Sequence, residues 1–125
     1  MPDRLRTLIV DDEPLAIERL QILCAAIPKI SLVGTAMEGK SALRMIESLA
    51  PDLILLDIQM PGMDGIALAQ TLAGRSLRPA VIFVTAFPVD ELRKRVLDAG
   101  AVGFLSKPFD EEHLIDCLKV ALDMP

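Results

Sequence analysis

The sequence predicts a doubly wound α/β domain in three layers, with a five-stranded all-parallel sheet in the order 2-1-3-4-5 between two layers of helices. Three observations lead there. Short apolar runs rich in strand formers alternate five times with longer stretches of helical periodicity, the pattern of repeated strand–helix units. Runs such as Leu53-Ile54-Leu55-Leu56 and Ala80-Val81-Ile82-Phe83-Val84 are apolar at consecutive positions, as strands covered on both faces must be. The length, 125 residues, suits one core, and residues 1–125 are read as a single domain.

Each element has its own signal. Strand one runs from Leu5 to Val10 and ends at Asp11. Pro14 then occupies the first turn of a helix, where its missing N–H is no loss. Leu15, Ile17, Leu20, Leu23 and Ile27 follow at near-helical spacing until Pro28 stops the helix. Ser31 to Ala36 reads as strand two. Helix two covers about Gly39 to Leu49, with Ala42, Leu43, Ile46 and Leu49 on its apolar stripe, and Pro51 follows. Strand three is Leu53 to Leu56. Asp64 is the expected N-cap of helix three, which carries Ile66, Leu68, Ala69 and Leu72 toward Gly74 at its C-terminal end. Strand four, from Ala80, ends at Thr85. Helix four holds Leu92, Val96 and Leu97 and closes at Ala99-Gly100. Strand five is Val102 to Leu105, and helix five runs from Asp110 to about Leu122 with Leu114, Ile115 and Leu118 inward.

Composition narrows the function classes. The chain is 52% hydrophobic, far from the composition of a disordered segment, yet it has no Tyr or Trp and only four Phe, so aliphatic side chains must fill the core. A net charge of -5 is the opposite of the basic footprint that nucleic-acid binding requires. No apolar stretch reaches the length of a membrane span. The first residues are charged and run straight into a strand, with no signal-peptide pattern, so a cytoplasmic location is expected. Cys24 and Cys117, far apart and not in a CxxC pair, are expected to be reduced thiols of the core.

In a parallel sheet the C-terminal ends of all strands share one edge, where α/β proteins place their chemistry. Strand one delivers Asp11, Asp12 and Glu13 to that edge, strand three Asp57, strand four Thr85 and strand five Lys107. Strands one and three are neighbours, so Asp11, Asp12 and Asp57 converge. At about 4 Å and an effective dielectric near 20, each carboxylate pair repels by roughly 4 kcal/mol before screening. Such a cluster raises a pKa or recruits a cation, and an all-oxygen donor set suits Mg²⁺. Taken alone, Asp11 or Asp12 serves as a helix cap as readily as a ligand. Together with Lys107 as a mobile cation and Thr85 as a short hydroxyl, the set is suited to hold a phosphoryl group on Asp57.

Four segments carry a family resemblance: Ile9-Val10-Asp11-Asp12-Glu13-Pro14, Asp52 through Gly65, Val84-Thr85-Ala86, and Gly100 through Phe109 with its Ser106-Lys107-Pro108 turn. Along nearly its whole length the chain resembles the receiver domain of bacterial two-component response regulators, a flavodoxin-like fold. The resemblance implies that Asp57 accepts a phosphoryl group from a sensor histidine kinase or phosphotransfer protein. It implies that Asp12 and Asp57 bind Mg²⁺ together with the backbone carbonyl of Gln59, while Asp11 orients metal-bound water. Thr85 and Lys107 are implied to contact the phosphoryl oxygens, and the Lys107–Pro108 bond to be cis. Gln59 and Phe87 match the positions that tune the lifetime of the acyl phosphate, with Phe87 expected to shield it.

A phosphoryl group adds about -1.5 to -2 charges and signals only by biasing an element with two arrangements. Thr85 is the expected first mover, and Phe104 matches the family's aromatic switch position, with core filling as the alternative reading. The resemblance places the readout face on helix four, strand five and helix five, where Arg93, Lys94, Arg95, Asp98, Asp116, Lys119 and Asp123 either pair across a homodimer or are simply solvated. Met60 and Met63 are expected as adaptable partner contacts or loop filling. His113 is alone on its helix and makes no metal site. Two other classes compete. An aspartate-nucleophile phosphatase of similar fold would carry its nucleophile after strand one in a DxD pattern, whereas Asp11 and Asp12 are adjacent. A flavin module would want a phosphate-binding loop where the acidic Asp11-Asp12-Glu13 stands. The expected output is either stand-alone protein interaction or control of a DNA-binding effector domain.

Overall fold

A computed structural model describes residues 4–60, 62, 64–75, 79–86 and 89–121. Five strands alternate with five helices in the order β1 (Leu5–Val10), α1 (Pro14–Ala25), β2 (Ile30–Ala36), α2 (Gly39–Leu49), β3 (Leu53–Leu56), α3 (Gly65–Ala73), β4 (Ala80–Thr85), α4 (Val89–Asp98), β5 (Gly103–Ser106) and α5 (Glu111–Ala121). All neighbouring strands pair in parallel, in the order β2-β1-β3-β4-β5. The predicted sheet order is the observed one.

The two-residue period of a strand divides the sheet's side chains between two cores. Leu8 and Val10, Ile54 and Leu56, and Val81 and Phe83 pack with Ala42 and Ile46 of α2, Ile66, Leu68 and Leu72 of α3, and Val96 of α4. Their alternates Ile9, Leu53 and Leu55, and Ile82 and Val84 pack with Ile17, Leu20 and Cys24 of α1 and Leu114 and Leu118 of α5. This is why the strands read as continuous apolar runs. Each fully buried aliphatic or Phe side chain contributes about 1.5–3 kcal/mol of transfer free energy, and Phe83 and eleven large aliphatics are buried to that degree.

Several expectations need correction. Leu15 and Leu97 were expected within helical apolar patterns, but they are 77% and 57% exposed. The buried stripe of α1 is set by Ile17, Leu20 and Cys24, and α4 buries Val96 while Ala99 fills the space after it. Ile27 is buried but lies beyond the end of α1, and Val102 lies outside β5 and is exposed. Met60 is a core side chain rather than a surface contact. Gly74 caps α3 with ordinary right-handed angles, whereas the left-handed cap falls at Ala50, after α2. Cys24 and Cys117 are both free thiols, Cys24 buried and Cys117 only half-buried. The side chain of Leu92, and residues Met63, Phe87, Leu122 and Asp123, lie outside the described residues.

Candidate functional site

Strand register builds the site. Val10 of β1 pairs with Leu56 of β3, so Asp11 and Asp57 leave the sheet side by side, and the Asp57 N–H donates to the Val10 carbonyl at 2.9 Å. Two residues back on each strand, Ile9 and Leu55 face the α1/α5 core, and the two aspartates continue that alternation. Asp12 follows at the turn into α1. One carboxylate oxygen from each of Asp11, Asp12 and Asp57 lies within 4.8 Å of the others. Asp11 and Asp57 are buried, at 1% and 6% exposure, and Asp12 is half-buried.

Lys107 closes the cluster from β5. Thr85 pairs with Ser106, and the next N–H, that of Lys107, donates to the Thr85 carbonyl at 2.8 Å. From there Lys107 Nζ reaches Asp11 Oδ2 at 2.7 Å and Asp57 Oδ2 at 3.9 Å. The Lys107–Pro108 peptide is cis, as the resemblance implied. Thr85 ends β4, buried at 1% exposure. Asp11 also serves its own turn, because its Oδ1 accepts the Glu13 N–H at 3.0 Å. Neither Asp11 nor Asp12 is the N-cap of α1, whose capping position is Glu13.

Electrostatics single out Asp57. Burial, and then the charge of Asp11, push its carboxyl from an ordinary 3.8 up to about 6. Lys107 and the backbone N–H groups of Gln59 and Ile58 pull the other way without cancelling the rise. A buried carboxylate beside two others, with one cation, carries an excess of negative charge. Its donor set is all oxygen, which fits a hard cation such as Mg²⁺.

Two residues that support this geometry were given no role from the sequence. The segment after Asp57 folds back so that the Gly65 N–H donates to the Ile58 carbonyl at 2.8 Å. Any Cβ at Gly65 would overlap the Asp57 carbonyl oxygen and stand 2.9 Å from Ile58 Cα. Asp64 caps α3 by accepting the Ala67 N–H at 2.7 Å, as its position predicted. An Asp-Gly pair ahead of a helix announces a turn, but nothing in it reveals that the glycine lies against the backbone of Asp57. The other residue is Arg19 of α1, whose guanidinium donates to the Phe109 carbonyl at 3.0 Å.

The remaining sequence candidates lie around the rim. Gln59 is exposed beside Asp57. Phe104 of β5 is half-buried and packs on the α2/α3/α4 core, with the Arg93 guanidinium 5.3 Å from its ring centroid. His113 pairs with Asp110 at 2.9 Å on an exposed surface.

A family model described as the response regulator receiver domain matches residues 7–119. Among curated proteins, the positive alginate biosynthesis regulatory protein of Pseudomonas aeruginosa is 46% identical over 118 residues, covering 94% of this chain and 47% of that protein. The chain spans about half the length of the curated relatives it matches. The solved signal receiver domain of a NarL response regulator from Mycobacterium tuberculosis superposes with a TM-score of 0.85 at 32% identity, covering 94% of this chain and 98% of that one. A CheX–CheY complex from Borrelia burgdorferi, solved with BeF₃ and magnesium, matches with a TM-score of 0.87 at 27% identity, covering 94% of this chain and 89% of that one.

Proposed function

The chain belongs to the response regulator receiver domain family, the phosphoreceiver switches of two-component signalling, and on that premise we propose that Asp57 is its phosphoacceptor. The observation that carries this reading is a buried carboxylate clustered with two further aspartates and 3.9 Å from a lysine ammonium. An oxygen of ionised Asp57 attacks phosphorus, and the P–N bond of a donor phosphohistidine breaks as the P–O bond forms. Asp11, Asp12, Asp57 and the Gln59 carbonyl would hold Mg²⁺, Asp11 through bound water, and the metal would supply positive charge to offset that of the phosphoryl oxygens. Lys107 pairs with one of those oxygens, and the Thr85 hydroxyl donates to another. The domain thus assists its own phosphorylation and dephosphorylation and acts on no separate substrate. Gln59 and Phe87 tune how fast water removes the group.

The output follows from charge. Drawing Thr85 toward the phosphoryl group opens space beside β5, into which Phe104 turns, changing the α4–β5–α5 face. Leu97, Val102 and Val120 are exposed around that face, which supports a homodimer or a target protein there. The partners upstream are a sensor histidine kinase or a phosphotransfer protein in the cytoplasm. None of the described helices is long and apolar enough to cross a membrane. Relatives about twice as long, three of them named transcriptional regulatory proteins, support control of an adjoining effector segment, with the receiver itself making no contact with nucleic acid.

Incubation with acetyl phosphate and Mg²⁺ tests the reading. The expected result is a stable adduct of one phosphoryl group that is absent from Asp57→Asn. Turnover of the donor with no adduct would point instead to an aspartate-nucleophile phosphatase.

A further inference from the structure

The loop that carries Lys107 is tied to α1 by a side chain that lies outside the acidic cluster. Arg19, one and a half turns into α1, donates from Nη2 to the Phe109 carbonyl at 3.0 Å. The same short segment is also held by the Lys107 N–H to Thr85 carbonyl bond at 2.8 Å and by the buried Phe109 ring among α1 and α5 residues. Between loop and helix lies an apolar cavity of about 340 Å³, lined by Ala16, Arg19, Leu20, Ala86, Lys107 and Phe109. Residues 107 and 109 border this space on the α1 side, where the Phe109 ring packs with α1 side chains and the Arg19 guanidinium holds the backbone carbonyl.

That matters because Lys107 works by distance. Its ammonium is 2.7 Å from Asp11 and 3.9 Å from Asp57, and any shift of the loop backbone carries the ammonium with it. A guanidinium holding a carbonyl is a charge-assisted bond with a pre-organised fork, well suited to fixing backbone position. We propose that Arg19 is a positioning residue for Lys107: it holds the 107–109 backbone at the height from which the ammonium reaches Asp57, without itself touching the phosphoryl group. This rests on the reading of Asp57 as phosphoacceptor.

The test measures the initial rate of phosphorylation of the purified chain by acetyl phosphate at saturating Mg²⁺, for wild type, Arg19→Met, Lys107→Ala and the double variant. The small donor removes any effect at a protein docking face, and Met keeps the side chain's apolar stem over the cavity. Arg19→Met is expected to lower the rate roughly tenfold, within the cost of displacing a catalytic group by a fraction of an ångström. In the Lys107→Ala background the same change is expected to alter the rate by less than about twofold, because the two residues act in series. Arg19→Lys, which retains charge and a shorter donor, is expected to fall between wild type and Arg19→Met. Thermal unfolding of each variant confirms that folded chains are compared, and Arg19→Lys carries the comparison if Arg19→Met is unfolded. An Arg19→Met chain as reactive as wild type, an equal loss in both backgrounds, or an Arg19→Lys chain as reactive as wild type only at low salt overturns the inference alone. A wild-type chain that takes up no phosphoryl group overturns the phosphoacceptor reading and this inference with it.

Discussion

Replacing Asp57 by Asn should stabilise the metal-free protein, because the site is built to hold a charge that the fold alone does not compensate. In the folded state the Asp57 carboxyl titrates near 6 rather than 3.8, chiefly because it is buried and secondly because Asp11 is beside it. A raised acid pKa means that folding favours the protonated form. Its contribution to stability is complete below pH 4 and is lost as pH rises through about 6. At about 1.4 kcal/mol for each pKa unit, the ionised carboxylate costs the fold about 3 kcal/mol at neutral pH. Asn keeps the shape and can still accept the N–H groups of Ile58 and Gln59, but its amide is also buried, so a net gain of about 1–3 kcal/mol is expected. Urea unfolding in EDTA at a series of pH values measures this. With a slope of roughly 1.5 kcal/mol/M, the midpoint of Asp57→Asn should exceed that of wild type by about 0.7–2 M above pH 7, and the two should converge near pH 4. Mg²⁺ should raise the wild-type midpoint and narrow the gap. A difference that does not change with pH, or a variant less stable than wild type at pH 7.5, refutes the reasoning.

Three further outcomes are expected from the supporting structure. Gly65→Ala forces a methyl group into the Asp57 carbonyl and against Ile58, so it should cost about 1–3 kcal/mol in urea unfolding and slow phosphorylation by displacing Asp57. Asp64→Ala removes the cap on the Ala67 N–H and should cost about 1 kcal/mol with the phosphorylation rate little changed. A double-mutant cycle of Arg93→Ala with Phe104→Leu should return a coupling of about 0.5–1 kcal/mol in the unphosphorylated state. That coupling should vanish in the phosphorylated state if Phe104 turns inward.

Much of the fold and the acidic cluster was legible in the sequence because both follow from rules of position. Continuous apolar runs require a sheet covered on both faces, and the ends of parallel strands fall on one edge, so Asp11, Asp57, Thr85 and Lys107 could be placed before any coordinates. What was not legible depends on angle and neighbour. Leu15 and Leu97 have the right residue type and near-helical spacing, but α1 and α4 carry more apolar residues than their inward stripes hold, and only the packing shows which are left outside. Met60 reads as a surface contact in a turn-rich loop, yet the loop turns it into the core beside Ile58. Gly65 lies against the backbone of Asp57 and Ile58, and Arg19 holds that of Phe109, far away in sequence; residue type carries no trace of either contact. Ala50 takes the left-handed cap that a sequence reader assigns to glycine, beside a Leu49 carbonyl held by Arg6 at 2.6 Å.

The claim at the centre of this account is that the phosphoryl group goes to one of three clustered carboxylates, Asp57, and that the others serve the metal. Borohydride reduction of the phosphorylated chain converts an acyl phosphate side chain to an alcohol that peptide mass analysis can locate. The account predicts reduction at residue 57 alone, dependent on Mg²⁺ during phosphorylation and abolished by EDTA. Reduction at Asp11 or Asp12, or equal labelling in EDTA, would contradict it.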